Sequence, residues 1–199
     1  TLQPFKILFL SLFFILGLLD DIKMNILPKF RLGAMIIALI SLVIYNNLYI
    51  EKTGLEFLNY LLQIDIFALF FICLCFLFII NGANLIDGFN GLLLSYCLTI
   101  ILSLLIDLST EFNMDWMNYM VAIFFAILGV FLVNFPFGKI FLGDGGAYLL
   151  GILLPVGLIK YVFDNDLSPW FALAILIYPV TEVLFSIVRK IFFRKDFMA

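Results

Sequence analysis

The chain has 199 residues, 65% hydrophobic and 13% charged, with 25 Phe and no His, and its mean hydropathy is +1.22. Soluble domains are roughly half apolar and about a quarter charged, so this composition excludes a soluble globule and a disordered chain. Eleven Lys+Arg against 14 Asp+Glu, a net charge of −3, argue against a nucleic-acid binder, and the lack of His excludes a His-ligated metal or a His-based triad within the chain. What remains is an integral membrane protein whose apolar residues face lipid.

A crossing helix needs about 20 mostly apolar residues. Seven segments qualify or nearly do: Ile7–Leu19, Leu32–Ile50, Ile64–Ile80, Leu92–Leu108, Met117–Phe135, Ala147–Phe163 and Trp170–Val188. The first is short, with Lys6 at its outer end, and no small-residue cleavage site precedes Asp20, so it does not read as a signal peptide. Continuous rather than alternating apolar runs exclude a porin-like barrel. The expected fold is all-α: a polytopic transmembrane helix bundle of about seven spans, one integral membrane domain over residues 1–199. The connection Glu51–Asp65 reads as a short amphipathic or irregular segment. Cys73, Cys75 and Cys97 fall in or beside apolar helices and read as packing or lipid-facing thiols.

Basic residues set the orientation. With the loop after the first span inside, Lys23, Lys29, Arg31, Lys139, Arg189, Lys190, Arg194 and Lys195 lie inside, and Lys6, Lys52 and Lys160 outside. That distribution follows the positive-inside rule. Glu51, Glu56, Asp65, Asp107, Glu111, Asp115, Asp164 and Asp166 fall on the outer side. Asp20, Asp21, Asp87, Asp144, Glu182 and Asp196 remain inside.

Three inside connections carry polar clusters. They are Gly17-Leu-Leu-Asp20-Asp21-Ile-Lys23 with Pro28 and Arg31, then Asn81-Gly-Ala-Asn84-Leu-Ile-Asp87-Gly88-Phe-Asn90-Gly91-Leu92, then Asn134-Phe-Pro-Phe-Gly138-Lys139-Ile-Phe-Leu-Gly143-Asp144-Gly145-Gly146. Two spans separate each cluster from the next, so all three emerge on one membrane face. Carboxylates gathered there repel one another and are costly to desolvate. A divalent cation relieves both penalties, and carboxylate and amide oxygens with phosphate suit Mg²⁺ or Mn²⁺. Gly82, Gly88, Gly91 and the Gly143–Gly146 set permit tight turns and close backbone approach to a ligand. Backbone N–H groups there, beside a helix N-terminus, form a phosphate cradle. Each cluster alone also reads as helix caps and turns; their conjunction on one face of an apolar chain is the stronger signal.

At these residues the sequence resembles the polyprenyl-phosphate N-acetylhexosamine-1-phosphate transferase family, glycosyltransferase family 4. The matching residues are Gly17–Asp21 with Pro28 and Arg31, Asn81–Leu92, and Phe141–Gly146 with Gly151. The resemblance implies transfer of a HexNAc-1-phosphate from a UDP-sugar to undecaprenyl phosphate, with UMP released. This would occur at the cytoplasmic face of a bacterial inner membrane, to start a cell-envelope glycan such as O-antigen. It implies Asp144 as a Mg²⁺ ligand, with Asn84 as second ligand. Asp20 and Asp21 would lie beside the metal or the acceptor phosphate, and Asp87 near the donor nucleotide or diphosphate, as the catalytic carboxylates. Asn81, Asn84, Gly88, Asn90 and Gly143 would bind substrate. Direct in-line attack is preferred to a covalent phosphosugar on Asp87. Asn90 stands where many members carry Asp, and Glu182 stands in Pro179-Val-Thr181-Glu182 where the family has Asp. The family's basic, His-containing motif after the last span has no counterpart before Ala199. With Thr1 rather than Met at the start, the chain is expected to be a middle portion of a longer protein. Expected partners are the UDP-sugar, the polyprenyl phosphate and membrane lipids, with a homodimer as a candidate assembly. A cation-coupled transporter using the same aspartates is the alternative; it requires ionisable groups near mid-span. A third reading, a non-catalytic membrane scaffold, leaves the middle cluster unexplained.

Overall fold

The structure is a computed structural model that describes residues 4–22, 27–50, 52–106 and 114–193, with the side chains of residues 4–8 and 193 outside the description. Lys6, Lys23, Glu51, Asp107, Leu108, Glu111, Arg194, Lys195 and Asp196, placed above by charge or span, have side chains that lie outside the described residues. In chain order the helices are α1 (Pro4–Asp21), α2 (Pro28–Asn46), α3 (Glu56–Leu62), α4 (Asp65–Ile86), α5 (Leu92–Ile106), α6 (Met114–Asn134), α7 (Gly143–Asp164), α8 (Pro169–Ile175) and α9 (Ile177–Phe193). No strand occurs among the described residues, so the chain is an all-α bundle.

Local chemistry sets several boundaries. Pro28 opens α2, where a missing N–H costs nothing, and Asn47 closes it in the left-handed region at φ 50°. Ser168 caps α8 by accepting from the Trp170 N–H at 3.4 Å, with Pro169 in the first turn. The expected outer segment contains the single short helix α3, as its mixed polarity suggested.

Among the described residues four helices, α2, α4, α6 and α7, are long and apolar enough to cross a bilayer by length and composition, and the bent pair α8–α9, taken as one span, makes five. The expected seven also included α1 and α5. Helix α1 carries Lys6, Asp20 and Asp21 within its 18 residues, and α5 is described over 15 residues, as far as Ile106. The stretch read as one span, Trp170–Val188, is broken by a 68° bend. Pro179 is the reason: it has no N–H to give the Ile175 carbonyl. The Tyr96 hydroxyl donates to that carbonyl instead, at 2.7 Å, bridging from α5.

Helix α7 is the hub. It packs most extensively on α1 and α4, and also touches α5, α6 and α8. Two clusters flank it. One joins Leu94, Cys97, Ile101, Trp116, Met120 and Tyr161; the other joins Phe13, Met35, Leu39, Phe76, Tyr148 and Ile152. Among lipid tails, helices gain little from hiding apolar surface and associate by close packing and hydrogen bonds. Gly82 shows the close packing: a Cβ there would run into the Pro179 backbone, so α4 and α9 touch main chain to main chain. Trp116 and Tyr119 show the hydrogen bonds, donating from α6 to the Gly157 and Leu153 carbonyls of α7 at 2.8 and 3.3 Å. All three cysteines are free thiols; Cys73 and Cys97 are buried and Cys75 is half-buried.

Candidate functional site

The three polar clusters meet at one end of the bundle, as expected from the sequence. They are less loop-like than their composition suggested. Asp20 and Asp21 form the last turn of α1, Asn81 and Asn84 sit in the last turns of α4, and Asp144 stands in the first turn of α7. In each case the apolar helix continues into the polar run, because Asn, Asp and Gly at a helix end cap or terminate it without unwinding it.

Helix α1 reaches α7 through Asp21. Its carboxylate accepts the backbone N–H groups of Asp144 at 2.9 Å and Gly145 at 3.1 Å, across 123 and 124 residues of chain. Those N–H groups belong to the first turn of α7, which has no helical acceptor for them and carries the positive end of the helix dipole. Two glycines permit the approach. A Cβ on Gly17 would collide with the backbone of Asp144 and Gly145. Gly143 lies at φ +70°, and a Cβ there would stand 2.6 Å from Asp21 Oδ2.

Asp20 turns the other way. Its carboxylate accepts from the Arg31 guanidinium of α2 and forms an ion pair with it. The guanidinium lies over the Tyr148 ring of α7, 5.8 Å from the centroid. Two of the four aspartates are thus matched, one by a guanidinium and one by a helix N-terminus.

Asp87 and Asp144 are not. Neither forms an ion pair among the described residues. Asp87 caps the end of α4 and is half-buried. Burial, then the negative charges of Asp144 and Asp21, push its carboxyl up to about 6. Asn84, one turn earlier on α4, is half-buried and has no hydrogen bond among the described residues. Asn81 donates to the Leu77 carbonyl of its own helix at 2.7 Å. Gly88 and Asn90 are exposed in the α4–α5 connection, and Asn90 lies against Gly138 of the α6–α7 connection. That connection is braced by Asn134, which is buried and donates to the Ile140 carbonyl at 2.6 Å.

Among the described residues no three His, Cys, Asp or Glu side chains come together as a metal-binding group. The carboxylates stand at the ends of three helices, α1, α4 and α7, rather than closed on a common point. Such a set binds a hard cation only with ligand oxygens contributed from outside the chain.

Two participants were not expected from sequence. Asn134 belongs to the third cluster by position, but its bracing of the loop depends on the fold. Tyr148 follows Asp144 by four residues, so the helical repeat places both on one face of α7; that spacing was the available signal.

Residues 5–162 match the sequence model of Glycosyl transferase family 4. The chain is 29% identical over 194 residues to the undecaprenyl-phosphate alpha-N-acetylglucosaminyl 1-phosphate transferase of Thermotoga maritima, covering 98% of this chain and 57% of that protein. It is 28% identical over 160 residues to the phospho-N-acetylmuramoyl-pentapeptide-transferase of Streptococcus mutans, covering 74% of this chain and 46% of that protein. The corresponding Streptococcus pyogenes protein is 28% identical over 153 residues, covering 70% and 44%. The chain therefore spans about half the length of the curated relatives it matches. The match reaches across all three clusters that the fold brings together, and with it the chain belongs to glycosyl transferase family 4.

Proposed function

We propose that the protein containing this chain transfers a sugar-1-phosphate from a UDP-sugar to a polyprenyl phosphate and releases UMP. One observation carries the reading. Three polar clusters from distant parts of an apolar chain converge at one end of the bundle, and two of their carboxylates, Asp87 and Asp144, form no ion pair among the described residues. The relatives' names supply the substrate classes: undecaprenyl phosphate, and N-acetylglucosaminyl or N-acetylmuramoyl-pentapeptide groups. UDP-GlcNAc and undecaprenyl phosphate are the substrates to test first.

The donor set suits Mg²⁺, or Mn²⁺ in its place. Asp144 and Asn84 would hold the ion, with Asp87 beside them and ligand phosphate oxygens and water completing the shell. Bound there, the ion supplies charge neutralisation for two anionic reactants. The chain's own residues then have separate tasks. The Asp144 turn is fixed because Asp21 occupies its backbone N–H groups. Arg31 keeps Asp20 neutralised on α1. The exposed turn at Gly88 and Asn90 leaves main chain open to a donor. In-line attack by the acceptor phosphate needs alignment more than an added base, since a phosphate monoester has its second pKa near about 6.

The transporter reading expects ionisable groups at mid-span. Asp20, Asp21, Asp87 and Asp144 all stand in a terminal turn or at a helix cap. Lys29, Arg31 and Lys139 flank the same end, which supports a cytoplasmic orientation for it in a bacterial inner membrane.

The test uses the complete open reading frame. Membranes receive radiolabelled UDP-GlcNAc and undecaprenyl phosphate, with Mg²⁺ or with EDTA. Labelled lipid is expected with Mg²⁺ and not with EDTA, and not from Asp144→Asn. No labelled lipid from any UDP-HexNAc donor refutes the proposal.

A further inference from the structure

Tyr148 has no place in the chemistry just described, yet it is fully buried at the edge of the site, with 0% exposure and a hydroxyl that has no hydrogen-bond partner among the described residues. A buried phenol kept without a partner is worse off than a phenyl ring of the same shape. The contact that the structure shows is made by the ring. That ring is the surface on which the Arg31 guanidinium rests, 5.8 Å from the centroid and within the range of a cation–π contact.

Arg31 in turn holds Asp20, and Asp20 is joined by one peptide bond to Asp21, which holds the α7 N-terminus. The contacts close a triangle. Helix α1 holds α2 through Asp20–Arg31, α2 holds α7 through Arg31–Tyr148, and α7 holds α1 through the backbone of Asp144 and Gly145 to Asp21. A lysine in place of Arg31 would keep the charge but not the flat face that stacks. Arg31 is part-exposed, its side chain at 30%, whereas Asp20 is at 14%. A long cation with that much access to solvent has many rotamers to choose from. A fixed aromatic face below it reduces the choice to the one that meets Asp20.

We propose that Tyr148 is a positioning residue: its ring, not its hydroxyl, orients Arg31 onto Asp20, and through this triangle sets the α7 turn that carries Asp144. The role rests on the transferase reading for its catalytic consequence, but the contact itself does not.

The experiment compares Tyr148→Phe, Tyr148→Leu, Arg31→Lys and Arg31→Met, and the double variant Tyr148→Leu/Arg31→Met, in the full-length protein. Tyr148→Phe keeps the ring and is expected to retain at least about half of wild-type turnover, while Tyr148→Leu loses about tenfold. Arg31→Lys falls between wild type and Arg31→Met. Adding Tyr148→Leu to Arg31→Met is expected to cost nothing further, because the ring has lost the group it orients. A multiplied loss in the double variant, or a Tyr148→Phe loss equal to that of Tyr148→Leu, overturns the proposal. Thermal unfolding of the same proteins in detergent separates the two readings. Wild type that forms no labelled lipid defeats the transferase reading alone. The unfolding cycle still decides the contact: Tyr148→Leu must lower Tm less in the Arg31→Met background than in wild type, and equal drops overturn it.

Discussion

The two ends of the bundle are held by different bonds. At the end where the clusters meet, helices are joined by charge: Asp20 to Arg31, and Asp21 to the N-terminus of α7. Toward the other end neutral donors also join them. Trp116 gives its indole N–H to the Gly157 carbonyl at 2.8 Å, and Trp170 gives its own to the Thr53 carbonyl at 2.5 Å. Thr53 is itself held by the Asn59 amide oxygen, which accepts its backbone N–H at 2.7 Å and its hydroxyl at 2.9 Å. A neutral bond costs little to bury and serves only to join. A carboxylate is costly to bury, so a bundle end that gathers four of them has a use for the charge beyond cohesion. Under the proposed function, the neutral end holds the fold and the charged end meets a ligand.

The sharpest way to break that separation is Asp144→Asn. It changes one oxygen at the reactive end and should remove about 100-fold or more of transferase activity, as losing a charge-stabilising group does elsewhere. Thermal unfolding should stay close to wild type. An Asp144→Asn protein that keeps its activity would leave the charged end without the function assigned to it.

Next is Gly17→Ala, where the new Cβ meets the backbone of Asp144 and Gly145. Overpacking of this kind costs ~1–3 kcal/mol. Activity should fall further than stability, because α1 would be pushed off the turn that positions Asp144. Unfolding and turnover measured on the same preparation check the ratio.

At the neutral end, Trp116→Phe should cost ~0.5–1.5 kcal/mol, the net worth of the indole hydrogen bond to the Gly157 carbonyl. Turnover per folded molecule should not change. A loss of turnover without loss of stability would show that the two ends are not separable.

The smallest effect concerns pH. The Asp87 carboxyl is pushed up to about 6, chiefly by burial and then by Asp144 and Asp21. A carboxyl whose folded pKa lies above its ordinary value favours the protonated form in the fold. It therefore costs no stability below the ordinary carboxylate range. The penalty grows as pH rises toward about 6 and is complete above it. Without divalent cations, Tm should fall between pH 4 and pH 7 (roughly the range between ordinary and shifted values) by more in wild type than in Asp87→Asn. Added Mg²⁺ should recover part of the fall. Equal pH profiles for the two proteins would show that Asp87 is not the strained group.

Much of this arrangement is legible in the chain. Apolar runs near 20 residues mark the helices, and Pro28 and Pro169 mark two of their starts. Counting spans led to the expectation that Asp21, Asp87 and Asp144 share one face, and Asp21 and Asp144 do meet. Other features are silent in the sequence. Asp20 and Asp21 are chemically identical neighbours, and nothing local says that one will meet Arg31 and the other the N-terminus of α7. The 68° bend was hidden in a run that reads as one apolar span, although Pro179 supplied a hint.

Sequence by itself determined the solvent, the helices and the end of the bundle at which the polar clusters emerge. Those properties depend on composition and on local repeat, which every stretch of chain carries within itself. Tertiary structure decided which carboxylates are matched and which are left over. That partition depends on groups 11, 123 and 124 residues apart meeting across three helices. Whether they meet depends on close approaches such as Gly17 against Asp144, which no local pattern encodes.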